Sequence, residues 1–223
     1  MPAAPRSPAI TRVCVEATAK RAFASALDWP GWCRSGRDEA AAIDALAAYA
    51  ARYAPVAKEA RTSFATGATL TVIERVPGNA TTDFGAPSTA AVAEEEPLTA
   101  AEAKRLAALL AATWTVFDSV VQAAPTSLRK GPRGGGRDRD KIADHVLAAE
   151  REYARKLGFR ATAPHVGEVA QIAAMRDGIL ATVLAARAGD PPADRAWLPR
   201  YAVRRMAWHV MDHAWEIEDR TER

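Results

Sequence analysis

Apolar and polar positions change period along this chain. In TRVCVEA, residues 11–17, Val13 and Val15 alternate with Cys14 and Glu16, and a period of two predicts a strand with one buried face. KRAFASAL at 20–27 and TLTVIERV at 69–76 read the same way. DWPGWCRSG at 28–36 predicts a turn. Ser35 with Asp38 three residues on marks a helix start, and Ile43, Leu46, Ala50 and Tyr53 form a helical stripe that stops before Pro55. Residues 11–76 therefore predict a small β-β-α-β unit with one helix laid on a short sheet.

Residues 77–97 carry Pro77, Gly78, Asn79, Gly85, Pro87 and the run Glu94 to Glu96, a composition that disfavours regular structure and predicts a linker. Beyond it the period becomes helical. Thr99 and Glu102 form a capping box, and Leu106, Leu109, Leu110, Thr113, Phe117, Val120 and Val121 hold the helical spacing up to Pro125. Further helices are predicted over 138–157, 166–187 and 199–220, with Gly158 and the Gly189, Pro191, Pro192 group as stops. Four helices of about 20 residues joined by shorter loops predict a four-helix bundle over 98–223. The fold class expected is α+β, a small N-terminal domain followed by that bundle. The proline-rich residues 1–10 are expected to form a disordered tail.

Composition narrows the function. At 223 residues there is room for one large or two small domains, and a net charge of +3 is too weak to argue for nucleic acid. Only Cys14 and Cys33 occur, which suits a reducing cytoplasm and excludes a disulfide framework or a cysteine zinc site. No apolar run long enough to span a bilayer is read, and MPAAPRSPA lacks the apolar core of a signal peptide. The expectation is a cytoplasmic protein acting on a small molecule, with neither membrane nor nucleic acid as partner and a homodimer left open.

The chemistry rests on histidine. His209 and His213 are four apart on the last helix, and a helix turns about 100° per residue, so both imidazoles leave one face. Ala202, Met206 and Ile217 share that stripe, which turns the pair toward the apolar side. His145, on another helix, supplies a third imidazole, and three such ligands with one open position are the ground plan of catalytic zinc. Zinc and nickel both suit the set. Taking His209 as zero, Glu216 lies about 20° and Arg205 about 40° around the helix, flanking the same face. Glu216 is the candidate base or hydrogen-bond partner, and Arg205 either holds a substrate carboxylate or lies on the solvated edge.

Residues 98–223 resemble the DinB-like, or YfiT-like, superfamily of four-helix metalloproteins. The likeness is carried by DKIADHVLAAEREYARKLG on the second helix and AWHVMDHAWEIEDR on the fourth. The resemblance implies that His145, His209 and His213 ligate one divalent metal, and that the activity is a transferase or isomerase reaction using a small thiol cosubstrate. No cysteine lies in 98–223, so the reacting thiol would come from that cosubstrate. WPGWCRSGRDEAAAIDAL looks like HicB-like domains over residues 11–76, which implies a partner-binding role. The alternative is then a regulatory or binding protein whose metal staples the helices.

LRKGPRGGGRDRDK, just ahead of the helix bearing His145, holds six basic and two acidic residues on a glycine-rich backbone. Such a segment can cradle an anion, and Arg133 is its candidate cosubstrate contact. It lacks the spacing of a nucleotide-binding loop, and Asp138 or Asp140 is expected to cap the next helix. His165 is expected at the surface. Trp208 and Trp215 are expected to bury against neighbouring helices.

Overall fold

The computed structural model describes residues 9–131, 135–186 and 196–221. The chain is α+β: a four-stranded mixed sheet followed by helices. Of the expected tail only Ala9 and Ile10 fall among the described residues, and Ile10 already belongs to the first strand.

Strand β1 (Ile10–Ala17) pairs antiparallel with β2 (Ala22–Ala26), Val13 opposite Ala26 and Ala17 opposite Ala22. β2 pairs antiparallel with β3 (Cys33–Gly36), Ser25 opposite Cys33. β4 (Thr69–Pro77) runs parallel to β1 on its other side, with a register shift at Val13/Cys14, giving the order β3-β2-β1-β4.

β3 corrects the reading of DWPGWCRSG as turn throughout. Only its first half turns, around Gly31 at φ +97°, while a four-residue strand is too short to show alternation. Ser35 consequently lies in β3, and Asp38 alone caps helix α1 (Glu39–Ala48), its side chain accepting from the Ala41 N–H at 2.8 Å. Pro55 does not stop the helical run. After a break at Tyr49, α2 (Ala50–Glu59) carries Pro55 inside it. An interior proline costs about 3 kcal/mol in an isolated helix, but Tyr53, Val56 and Ala57 beside it are fully buried, and that burial overrides local propensity.

Residues 77–97 are also more ordered than their composition predicts. They hold α3 (Ala80–Phe84), capped by Asn79, and a 3-10 turn η1 (Val92–Glu94). Two buried carboxylates fasten this segment. Glu16 of β1 accepts from the Ser88 and Thr89 N–H groups, each at 2.9 Å through Oε2, and from the Thr82 hydroxyl. Glu94 pairs with Arg204 at 2.6 and 2.8 Å.

Four long helices complete the chain: α4 (Ala100–Ala123), α5 (Arg139–Lys156), α6 (Val169–Ala185) and α7 (Pro199–Arg220). The Thr99/Glu102 capping box is formed, and α5 ends just before Gly158 at φ +97°. By length and composition α4 could cross a membrane, with a mean hydropathy of 1.4, contrary to the reading that no such run exists. Its Leu106, Leu109, Leu110 and Phe117 are instead buried in the protein core, which accounts for its apolarity.

α7 packs on α4 and α5, and α4 packs on α2 as well. The two halves of the chain also meet at α7. Trp208 packs edge-on against Phe23 of β2 at 6.0 Å and Trp215 against Tyr49 at 4.9 Å. Both tryptophans are buried as expected, Trp215 against Tyr49 at the junction of α1 and α2, whereas Trp208 meets a strand rather than a helix. One cluster of buried side chains runs from Val13 in β1 to Ile217 in α7.

Candidate metal centre

α5 presents His145 and α7 presents His209 and His213. A ring nitrogen of each lies within 4.8 Å of the other two. The Nε2 atoms of His145 and His209 are 3.3 Å apart, and the ring centroids of all three pairs lie between 4.6 and 5.0 Å. Two nitrogens held at zinc's usual bond length in a tetrahedral site stand about 3.3 to 3.4 Å apart, so the closest pair already has the chord such an ion needs. It is long for a hydrogen bond.

Charge supports the same use. Burial, reinforced by the neighbouring His213, pushes His145 below the ordinary histidine range and His209 well below it. Both rings are thus neutral near pH 7, the form that ligates. His213 is oriented by Glu216, one helical turn on, whose Oε2 lies 2.7 Å from Nδ1. A proton on Nδ1 leaves Nε2 as the lone-pair nitrogen facing the other rings, the arrangement in which a carboxylate fixes the tautomer of a metal-binding histidine.

Glu216 is held on both sides. Its Oε1 accepts from Arg220 at 2.6 Å, and the His213 hydrogen bond, ahead of that from Arg220, keeps its carboxyl below the ordinary range. Of the two roles open to it from the sequence, base or hydrogen-bond partner, the geometry displays the second.

Arg205 is not on a solvated edge. It is 7% exposed, with its guanidinium 4.5 Å from the Trp208 ring and 5.1 Å from the Tyr153 ring. Tyr153 in turn stands edge-on to His209 at 5.7 Å. Sequence reasoning misses Tyr153, because it sits eight residues after His145 and nothing in its spacing ties it to the histidines of another helix. Asp212, beside the ligand pair in sequence, faces away and pairs with Arg34 at 2.9 Å. Glu152 pairs with Arg151 and Arg155 at the surface, and His165 is exposed.

Among the described residues, five buried side-chain nitrogens lack a partner: those of Trp114, Arg151, Arg205, His209 and Arg220. One of these residues is His209 itself; Arg205 lies one turn before it on α7, and Arg220 reaches the set only through Glu216. An open hollow of about 510 Å³ lined by Arg129, Lys130, Gly131, Gly135, Gly136, Glu216 and Arg220 reaches the site at Glu216, and none of the three histidines lines it. Gly136, at φ +120°, lets the Arg220 guanidinium lie over its backbone, since a Cβ there would stand 2.6 Å from Nη2. A larger groove of about 1120 Å³ between α2, α4 and α7 likewise contains none of the histidines.

Arg133 lies outside the described residues. The rest of the basic loop is largely engaged locally: Lys130 with Asp138, Arg139 with Asp140 at 2.7 Å, and Arg129 with the Asp219 carbonyl at 2.7 Å. Asp138 occupies the N-cap position of α5, but its side chain accepts from the Leu128 N–H instead of capping. Comparisons with family models, with curated proteins and with solved structures find no match to this chain.

Proposed function

We propose that the chain is a metal-dependent enzyme of the DinB-like type, a thiol-dependent transferase or isomerase acting on a small molecule, with a divalent ion, zinc or nickel, on His145, His209 and His213. The observation that carries this is the meeting of the three imidazoles from two helices, with 3.3 Å between two Nε2 atoms and no other partner for the buried His209 ring. In this reading α4 to α7 form a four-helix bundle of the DinB type. When bound, a divalent ion on three neutral imidazoles acidifies a thiol or water at its open position.

The protein's own residues prepare the site. Burial keeps His145 and His209 unprotonated, and Glu216 holds His213 in the ligating tautomer. Packing of Tyr153 against His209 limits water on that side. The chain's own thiols are unsuited to attack: Cys14 and Cys33 are buried in the sheet, which pushes them up to about 12 and about 11. A cosubstrate thiol is therefore the nucleophile of choice, and water the second.

The test combines metal analysis with a reaction. Purified protein should carry one divalent ion per chain, and His209→Ala should lose it. Metal-loaded protein should consume a low-molecular-weight thiol in the presence of a generic electrophile, and metal-free protein should not. Equal rates with and without metal would remove the catalytic reading.

One observation favours a second reading. His209 is only 8% exposed, as befits an ion that staples helices rather than meets substrate. In that case the HicB-like residues 11–76 would make partner contacts and metal removal would lower stability without touching any turnover.

A further inference from the structure

α7 carries two adjacent buried arginines with opposite circumstances. Arg204, 4% exposed, is fully engaged: Nε and Nη2 donate to Glu94, Nη2 also to the Thr89 carbonyl at 3.0 Å, and Nη1 approaches Ser25 Oγ at 3.4 Å. Arg205, 7% exposed, makes no hydrogen bond and no ion pair among the described residues, and its Nη1 is buried without a partner. Arg176, the other arginine buried to this degree, is held by Glu150 and Asp118.

A guanidinium is charged at every accessible pH and cannot relieve an unfavourable site by losing its proton. A guanidinium nitrogen taken out of water without a partner is unfavourable, and an acceptor that binds there later would relieve it. Trp208 and Tyr153 both contact the guanidinium through cation–π interactions, which leave its buried Nη1 free to donate. A guanidinium suits a planar, two-oxygen acceptor. Its location decides what the acceptor belongs to: Arg205 is one turn before His209 on α7, and Tyr153 touches both side chains.

We propose that Arg205 is the carboxylate-binding residue of the histidine site, so that the small molecule taken there is an organic acid whose carboxylate docks on the Arg205 guanidinium while its reacting end faces His145, His209 and His213. The proposal rests on the metal-site reading for what stands beside the acid. The anion contact itself does not require the ion, which allows the two to fail separately.

The experiment uses the full chain, zinc-loaded and zinc-free, titrated with benzoate, with its neutral isostere benzamide and with inorganic phosphate, followed by calorimetry and tryptophan fluorescence. Wild type is expected to bind benzoate and not benzamide, Arg205→Met to bind benzoate at least tenfold more weakly, and Arg205→Lys to fall between. Arg205→Met is expected to melt no lower than wild type, because it removes a buried charge that nothing balances. The proposal is overturned if wild type ignores benzoate, if Arg205→Met binds it equally, if benzamide or phosphate binds better, or if Arg205→Met melts several degrees lower. Full zinc content without benzoate binding sinks the anion assignment alone. Absent zinc with benzoate binding that still depends on Arg205 sinks the metal reading alone.

Discussion

Two buried polar clusters, both built on α7, are assembled to different standards. Around Arg204 the hydrogen-bonding capacity is met: Glu94, Thr89 and Ser25 close the network, and the segment 77–97 is thereby clamped between sheet and helix. Around His209, about one turn away, it is not met, since His209 Nδ1 and Arg205 Nη1 are both buried without partners. Desolvation makes an unpaired polar atom costly in either place. The first cluster holds the chain together by itself; the second leaves donors that the proposed ligands of the site would meet.

The sharpest way to break this comparison is to damage the satisfied cluster. Glu94→Ala leaves Arg204 buried and uncompensated, and stability to urea should fall by about 3 to 5 kcal/mol, with residues 77–97 becoming the first site of limited proteolysis. Arg205→Met, the matching change in the unsatisfied cluster, should cost nothing. Comparable losses in the two variants would show that both clusters are structural.

Metal comes next in size. A ligand that binds only the folded chain adds about 4 kcal/mol at a thousandfold excess over its dissociation constant, so zinc should raise the melting temperature of wild type and leave His209→Ala where it is. A variant stabilised as strongly as wild type would move the ion elsewhere.

A smaller effect is expected from the carboxylate behind His213. Glu216→Gln keeps the shape but weakens the hold on the Nδ1 proton, and loss of such a partner lowers metal affinity about 10- to 100-fold. Competition with a chromogenic chelator reads this directly, and unchanged affinity would strip Glu216 of its orienting role.

The smallest effect belongs to another α7 arginine, Arg200, which binds Glu102 at 2.8 Å near the start of the helix. Glu102 is lowered to about 2, first by the Thr99 backbone N–H it accepts from and then by Arg200. A carboxyl lowered by folding contributes stability that is complete above its ordinary value near 4.5 and disappears as pH falls toward 2. Solvent screening keeps that contribution small, because the side chain is 43% exposed. Melting curves between pH 6 and pH 2 should decline less steeply for Glu102→Gln than for wild type, whereas parallel curves would assign the acid sensitivity to other carboxylates.

Much of the candidate centre was legible without coordinates, and the reason is helical geometry. The i, i+4 spacing of His209 and His213 and the apolar stripe they share require both rings to face inward, and the Thr99/Glu102 box and Gly158 mark helix ends by local chemistry. The strands β1, β2 and β4 were legible by alternation. β3 was not, having four residues, and Pro55 misled because the burial of Tyr53 and Val56 outweighs what proline does locally. The ordered character of 77–97 was hidden for another reason: Glu16 finds its donors 66 to 73 residues away, and Glu94 finds Arg204 at a separation of 110.

By itself, then, the sequence determined the periodicities, the inward face of α7 and the two imidazoles that share it, all properties of neighbours within a few turns. The tertiary structure alone decided which of two adjacent arginines would be paired. Arg204 and Arg205 are the same residue type, yet one step of about 100° around the helix sends the first to Glu94 and the sheet and the second to Tyr153 and the histidines. Whether a buried charge meets a counter-ion depends on what lies across the interface, and that is set by packing between segments distant in the chain.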